Sequence, residues 1–226
     1  MIFEVSETWQ AAFPQAHVGV LVMRDVVNPA RHAALDREKE ALENELRSRF
    51  AGQTRGDLDQ VPVLQAYAAY YKRFKKTYHV QLQLESIVFK GKSIPSVAAL
   101  VEAMFMAEVK NMLLTAGHDL DALQLPVRLD VSRGDEIYTV MRGKPQLLKP
   151  GDMLIADRAG IISSILYGPD QRTQIQPATH NVMFTVYAPD GISEQAVLEH
   201  LHDIERYVQM VAPESSVEML QVFGAI

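Results

Sequence analysis

Three groups of side chains in this 226-residue chain are of types that can do chemistry. The first is Gly117-His118-Asp119-Leu120-Asp121, directly after a long apolar run. A histidine just past a helix end can donate to a substrate or act as an acid or base. Its imidazole can equally bond the last helix carbonyls. The second group is Asp170, Gln171, Arg172 and Thr173, in the polar stretch Tyr167–Thr173 between two β-rich runs. Loops held by a rigid sheet often carry binding groups, and the planar fork of Arg172 suits a phosphate or carboxylate. The same Gly168-Pro169-Asp170 reads as a plain turn with Arg172 as a surface residue. The third is Glu108, which falls on a helical wheel within the apolar stripe of Val97, Val101, Met104 and Met112. A buried carboxylate is costly unless paired or protonated. Asn111 and Lys110 are near enough to partner it, so Glu108 is either a pocket carboxylate for an ammonium or ribose hydroxyl, or a structural one.

Other chemistries find no support. A Gly-rich phosphate loop with its lysine is absent, as are Gly-x-Ser-x-Gly and His-Glu-x-x-His. With no cysteine, disulfides and thiolate metal sites are excluded. His200-Leu201-His202 is a weak metal signal, because i and i+2 on a helix diverge by about 200°. An exposed acidic helix face is the better reading there, and no metal or other cofactor is expected.

The elements that must position these groups follow from periodicity. His17–Val22 reads as a strand. Asn28-Pro29 reads as the start of a helix carrying Leu35, Leu42, Leu46 and Phe50 on its buried face and ending at Gly52. A second helix, about Val63 to Lys76, has an aromatic face of Tyr67, Tyr70, Tyr71 and Phe74. Residues 78–90 fit strand and helix alike. A long, nearly all-apolar helix is expected from about Ser96 to Thr115, central and buried, with Gly117 as its stop. From Val127 the pattern changes to short β-rich runs: Val127–Val131, Glu136–Met141, Met153–Ala156, Gly160–Tyr167 and Val182–Tyr187. A last helix, Ser193 to about Met210, has Ser193 as its cap. Helices first and strands later give an α+β fold.

Length and a 48% apolar content suit one domain with a substantial core. Its core is expected at about 13–190, with 191–226 an acidic helical extension free to pack on its own domain or on a second subunit. The expectation is a soluble cytoplasmic protein: no run approaches the ~18 apolar residues that cross a bilayer, and no secretory signal opens the chain. The net charge of -6 argues against a general nucleic-acid binder. Yet Lys72, Arg73, Lys75, Lys76, Lys90 and Lys92 face only Glu85 within residues 72–92. That stretch is either a local phosphate-binding patch or a solvated helix face.

The order of short motifs is more specific than any one of them. Phe13-Pro14 precedes Val18-Gly19-Val20-Leu21-Val22. Then come Tyr70-Tyr71-Lys72-Arg73-Phe74, Lys90-Gly91-Lys92, Ile94-Pro95 and His118-Asp119-Leu120-Asp121. Lys149-Pro150-Gly151-Asp152, Ala156-Asp157-Arg158-Ala159-Gly160, Arg172-Thr173-Gln174-Ile175 and Thr179-His180-Asn181-Val182 follow. Over about residues 13–190 the chain resembles the B3/B4 family, the tRNA-editing module of the phenylalanyl-tRNA synthetase beta subunit, in its freestanding form. The resemblance implies a β-sandwich of unusual topology with packed helices, and favours helix over residues 78–90. The synthetase module hydrolyses tyrosine wrongly esterified to the phenylalanine tRNA without a metal. Freestanding relatives act in trans on mischarged tRNA, some in connection with canavanine.

Carried over residue by residue, the resemblance gives His118 the place of the pocket histidine, sets Asp119 on the same turn, and matches Thr179 to a threonine before the last core strand. Where the synthetase has a pocket glutamate this chain has Phe184-Thr185-Val186, and Met104-Phe105 stands where many freestanding members carry tyrosine-asparagine. The expected activity is deacylation of mischarged aminoacyl-tRNA. His118 would orient the ester or water. Gln171, Arg172 and Thr173, beside Asp170, would hold the terminal ribose-phosphate. Glu108 and Asn111 would serve the substrate pocket, and Lys72, Lys75, Lys76, Lys90 and Lys92 would attract the acceptor stem. The alternatives are a non-catalytic module binding an amino acid, a tRNA or a protein, and a small-molecule esterase or amidase.

Overall fold

A computed structural model describes residues 2–224. In chain order the elements are β1 (Phe3–Val5), α1 (Glu7–Ala12), β2 (His17–Arg24), α2 (Ala33–Arg49), α3 (Arg55–Leu58), α4 (Pro62–Arg73), α5 (His79–Val88), α6 (Ala99–Asn111) and β3 (Leu114–Asp119). They continue with β4 (Val127–Val131), β5 (Ile137–Thr139), β6 (Pro145–Leu147), β7 (Met153–Asp157), β8 (Gly160–Ser164), β9 (Gly168–Pro169), β10 (Val182–Ala188), α7 (Glu194–Val211) and β11 (Ser216–Gly224).

One sheet is antiparallel, in the order β11-β2-β10-β3; the second runs β1-β4-β7-β8-β9, and β5 with β6 makes a separate hairpin. The two large sheets face each other with their orders aligned. Phe3 of β1 packs on Phe223 of β11, and Ser163 of β8 bonds the Tyr187 hydroxyl of β10 at 2.5 Å. The other face of the four-stranded sheet carries α7. Gly19, Val186 and Thr115 sit side by side across β2, β10 and β3 on that face. Gly19 is where the helix comes closest, since a Cβ there would lie 2.6 Å from Val197 Cγ1 and 3.1 Å from Leu201 Cδ1. The fold is therefore α+β, two facing sheets with packed helices. Among the described residues no helix is long and apolar enough to cross a membrane.

Three expectations need correction, each for a long-range reason. Asn28-Pro29 does not start α2. Asn28 Oδ1 accepts from Leu100 N at 3.0 Å and Pro29 O from Ala99 N at 3.0 Å, so the pair caps α6, some seventy residues on. The long helix does not reach Thr115. Met112 turns left-handed (φ 60°), and the chain re-emerges as β3. The stacked rings of Tyr67 and Tyr78, 4.0 Å apart, hold this corner. Tyr78 donates to Met112 O at 3.0 Å, and Tyr67 accepts from Leu114 N at 2.8 Å while donating to Tyr187 O. Gly117 is consequently no helix stop but a strand residue over which Ile175 and Phe184 close, at 2.7 and 3.3 Å from a would-be Cβ. Finally, the stretch after α7 is not helical: β11 pairs with β2 along its length, and Arg24 joins Glu218 in an ion pair. Residues 78–90 resolve as helix α5, as the resemblance favours.

The close seat of α7 and the buried carboxyl at the corner are both open to test. Gly19→Ala pushes a methyl into the branched Val197 side chain, so the urea midpoint should fall by the equivalent of about 1–3 kcal/mol. An unchanged or raised midpoint would show that α7 is not seated this closely. Glu108, 2% exposed, accepts from Thr115 N at 2.8 Å. Burial pushes its carboxyl up to about 8, against the smaller opposing pull of that bond. A raised folded pKa gives stability that is full below about 4.5 and lost as pH rises through 8, at up to about 1.4 kcal/mol per pH unit. Glu108→Gln keeps the neutral shape, so its melting temperature should fall less than the wild type's between pH 7 and 8.5. Parallel curves would contradict the buried neutral carboxyl.

Candidate functional site

Strand alternation decides what His118 meets. It shares the β3 face of Leu114 and Ala116, which points at the second sheet, and it is fully buried. Its Nδ1 lies 2.8 Å from Thr173 Oγ1. The Thr173 hydroxyl donates to Asp170 Oδ1, which also accepts from Thr173 N at 3.1 Å. With its one proton committed to Asp170, Thr173 Oγ1 must accept from His118 Nδ1–H. That fixes the tautomer and leaves the Nε2 lone pair, which has no partner among the described residues. Burial, helped by the Arg172 charge and opposed by Asp157, lowers the His118 pKa to about 3, so the ring is neutral at pH 7. Burial raises the Asp170 carboxyl, while the Thr173 bonds and the Arg172 charge pull it down.

Arg172 joins this buried chain to the surface. Its guanidinium donates to Ala122 O at 2.9 Å and to Asp157 Oδ1 at 2.8 Å, and its Nε lies 3.7 Å from Asp170. Asp157 is the pivot of the corner. Its side chain also accepts from Gln124, Ala159 and Gly160 backbone N–H groups at 2.8, 2.8 and 3.1 Å. Asp157 carries no role in the sequence reading. Its signals were its place in the Ala156-Asp157-Arg158-Ala159-Gly160 motif and the Asp-x-x-Gly form of a turn, which marks geometry rather than function. Asp119 N donates to Thr173 O at 2.8 Å, and Thr179 Oγ1 donates to Asp119 Oδ2 at 2.7 Å. These two fasten the loop after Thr173 to β3.

Outside the Asp170–Thr173 wall lies a cleft of about 460 Å³ lined by Tyr138, Thr139, Gly160, Asp170, Gln171 and Arg172 among others. Gln171 is exposed, with its backbone N on Thr139 O at 3.0 Å. His118 is not among the residues that line this cleft. It stands behind it, one hydrogen bond beyond Thr173.

His118, Asp119, Asp170, Gln171, Arg172, Thr173 and Thr179 are thus gathered at one corner. Glu108 and Asn111 are elsewhere. The bond from Thr115 puts Glu108 three residues back along β3 from His118, about 10 Å. Asn111 turns to α7, donating to Asp203 Oδ2 at 2.9 Å. There His200 is fully buried between Asn111 (3.3 Å) and Thr115 (2.7 Å), whereas His202 is exposed. The exposed acidic face expected for this histidine pair therefore holds for His202 only. The lysines also divide. Lys72, Lys75 and Lys76 lie at the α4–α5 turn. Lys90 and Lys92 lie past the far end of α5, a ten-residue helix about 15 Å long. Among the described residues no cluster of three or more His, Asp or Glu is placed to hold a metal.

No family model matches the chain. Over 69 residues, 30% of this chain and 9% of the longer one, it is 30% identical to the phenylalanine–tRNA ligase beta subunit of Mycoplasma genitalium. Its fold matches that of an N-terminal fragment of the phenylalanyl-tRNA synthetase beta subunit from Pyrococcus horikoshii, with a TM-score of 0.50 at 9% identity. That match covers 97% of this chain and 53% of the solved one, so the chain spans about half the length of the fragment it resembles. At this identity the likeness is one of architecture: the fold of the chain is similar to that of the phenylalanyl-tRNA synthetase beta-subunit fragment.

Proposed function

We propose that this domain hydrolyses the ester bond of mischarged aminoacyl-tRNA. The observation that carries the reading is the Asp170–Thr173–His118 chain standing behind a cleft that Arg172 borders. An aminoacyl ester is already activated. Orienting a water and polarising the carbonyl are enough, without a covalent intermediate. Water adds to the carbonyl carbon, the carbon–oxygen bond to the ribose breaks, and free amino acid and a ribose hydroxyl result. Arg172 keeps N–H groups beyond those used on Ala122 and Asp157, and these suit the terminal ribose-phosphate. Gln171 supplies a further exposed donor and acceptor at the rim. His118, neutral and aligned through Thr173, backs the Asp170 wall from the interior, with its Nε2 lone pair buried behind the cleft.

The burial of His118 supports a second reading, a non-catalytic module that binds the aminoacylated end or a free amino acid. Such a module would gain melting temperature with ligand and show no turnover.

The test is release of amino acid from a panel of mischarged tRNAs. One mischarged species should be deacylated and correctly charged tRNA spared. Thr173→Val should cut the rate roughly 10²-fold by breaking the chain while keeping the core filled. His118→Ala should act likewise. No release from any species by a folded protein would leave only the binding reading. A second expectation concerns pH. With its pKa near 3, His118 stays neutral across pH 5–8. The rate profile should therefore carry no limb near 6.5 that His118→Gln removes; such a limb would mean that the imidazole titrates in the cleft.

A further inference from the structure

One face of the β5–β6 hairpin lines the cleft and packs Tyr138 inward, but its outer face is accounted for by neither the core nor the site. Tyr138 packs with Leu148 and Leu154, but three other apolar side chains face outward: Ile137 is 64%, Met141 50% and Leu147 52% exposed. Residues 137–151 hold Arg142, Lys144 and Lys149 and no acid, in a chain whose net charge is -6. The hairpin is wired to the site. Gln171 N donates to Thr139 O, and Val140 bridges to Asp170. Against its inner side runs a groove of about 290 Å³ lined by Val140, Met141, Arg142, Gln146, Tyr167 and Pro169.

The end of α4 reaches the same groove. Lys76 Nζ stands 4.3 Å from the centre of the Tyr167 ring, and Lys149 Nζ donates to Phe74 O at 2.6 Å. The groove therefore has an aromatic ring, positive charge on two sides, and an exit past Pro169 to Asp170 and Arg172. Lys90 and Lys92, past the far end of α5, take no part in it.

We infer that the groove between the β5–β6 hairpin and Tyr167 is a track for the single-stranded 3′ end of an RNA, with a base packed against Tyr167 and phosphates held by Arg142, Lys144 and Lys76. Such grooves combine a ring that accepts any base face with charge that follows the backbone. The inference rests on the tRNA-directed reading of the site. It replaces the broad lysine patch with a narrow one, and assigns the acceptor end a direction of entry, from the α4 end toward Arg172. A strand seated this way needs no duplex contact.

The experiment is fluorescence anisotropy with three probes: uncharged tRNA, a short single-stranded RNA ending in CCA, and a blunt RNA duplex, between about 50 and 200 mM salt. Wild type should bind the first two and bind the duplex at least tenfold more weakly. Tyr167→Ala, and separately the exposed pair Arg142→Ala/Lys144→Ala, should each weaken single-strand binding at least tenfold. The paired variant should also lower the salt slope by about 0.7 for each phosphate it no longer neutralises. Lys90→Ala/Lys92→Ala should bind as wild type. Equal binding of duplex and single strand, wild-type affinity in the paired hairpin variant, or no RNA binding at all would overturn the track. The two proposals fail separately. Binding that depends on the hairpin without deacylation removes the hydrolase reading and keeps the track. Deacylation of tRNA that ignores the hairpin variants keeps the hydrolase and removes the track.

Discussion

The left-handed corner at Met112 is the constraint on which the site depends. A residue with a side chain is rarely left-handed, and the cost has to be met by surroundings that allow no other path. Here Tyr78 donates to Met112 O, Tyr67 accepts from Leu114 N, and Glu108 accepts from Thr115 N, so these backbone groups leaving the helix have buried partners. The corner turns the chain from α6 into β3 and sets the phase of the strand. Because strand side chains alternate, that phase alone determines that His118 faces the second sheet and Thr115 faces α7. A corner one residue later would exchange the two.

His118 and Thr115 then anchor two separate polar chains on opposite faces of one strand. On the sheet side, Asp170 orders Thr173, Thr173 orders His118, and Asp119 with Thr179 ties the loop down. On the helix side, Thr115 meets His200, which meets Asn111, and Asp203 receives both Asn111 and Lys110. Both histidines are held near pKa 3 by burial, but only the first stands behind a cleft. The second locks α6 and α7 to the sheet edge. Burial alone therefore does not distinguish the two histidines.

Much of the architecture was legible in the sequence because it is written in local periodicity. Strand β2, the apolar stripe of α2, the aromatic face of α4, the β-rich second half and the Ser193 cap are of this kind. What escaped depends on partners distant in the chain. Met112-Leu113-Leu114 is apolar whether helical or extended, and only Tyr67 and Tyr78 decide the matter. Asn28-Pro29 has the chemistry of a cap, but the helix it caps lies far ahead. Strand β11 exists because β2 offers it an edge. At the site, His118 and the Asp170–Thr173 stretch were visible as residue types, but the hydrogen bonds joining them across 55 residues were not. Glu108 was correctly read as buried, yet its partner is a backbone N–H at the corner rather than a ligand pocket.

Asp170 and Thr173 dictate the state of His118 and couple it to the cleft, and on this coupling the functional reading stands. Nitrogen-15 NMR of the histidine ring tests it directly, in the free protein and with a non-hydrolysable adenosine carrying an amide-linked amino acid. The expected result is a proton on Nδ1 and a bare Nε2 from pH 5 to 8, with the Nε2 resonance moving when the analogue binds. An Nε2-protonated ring, or a His118 spectrum that stays fixed while the analogue binds, would contradict it.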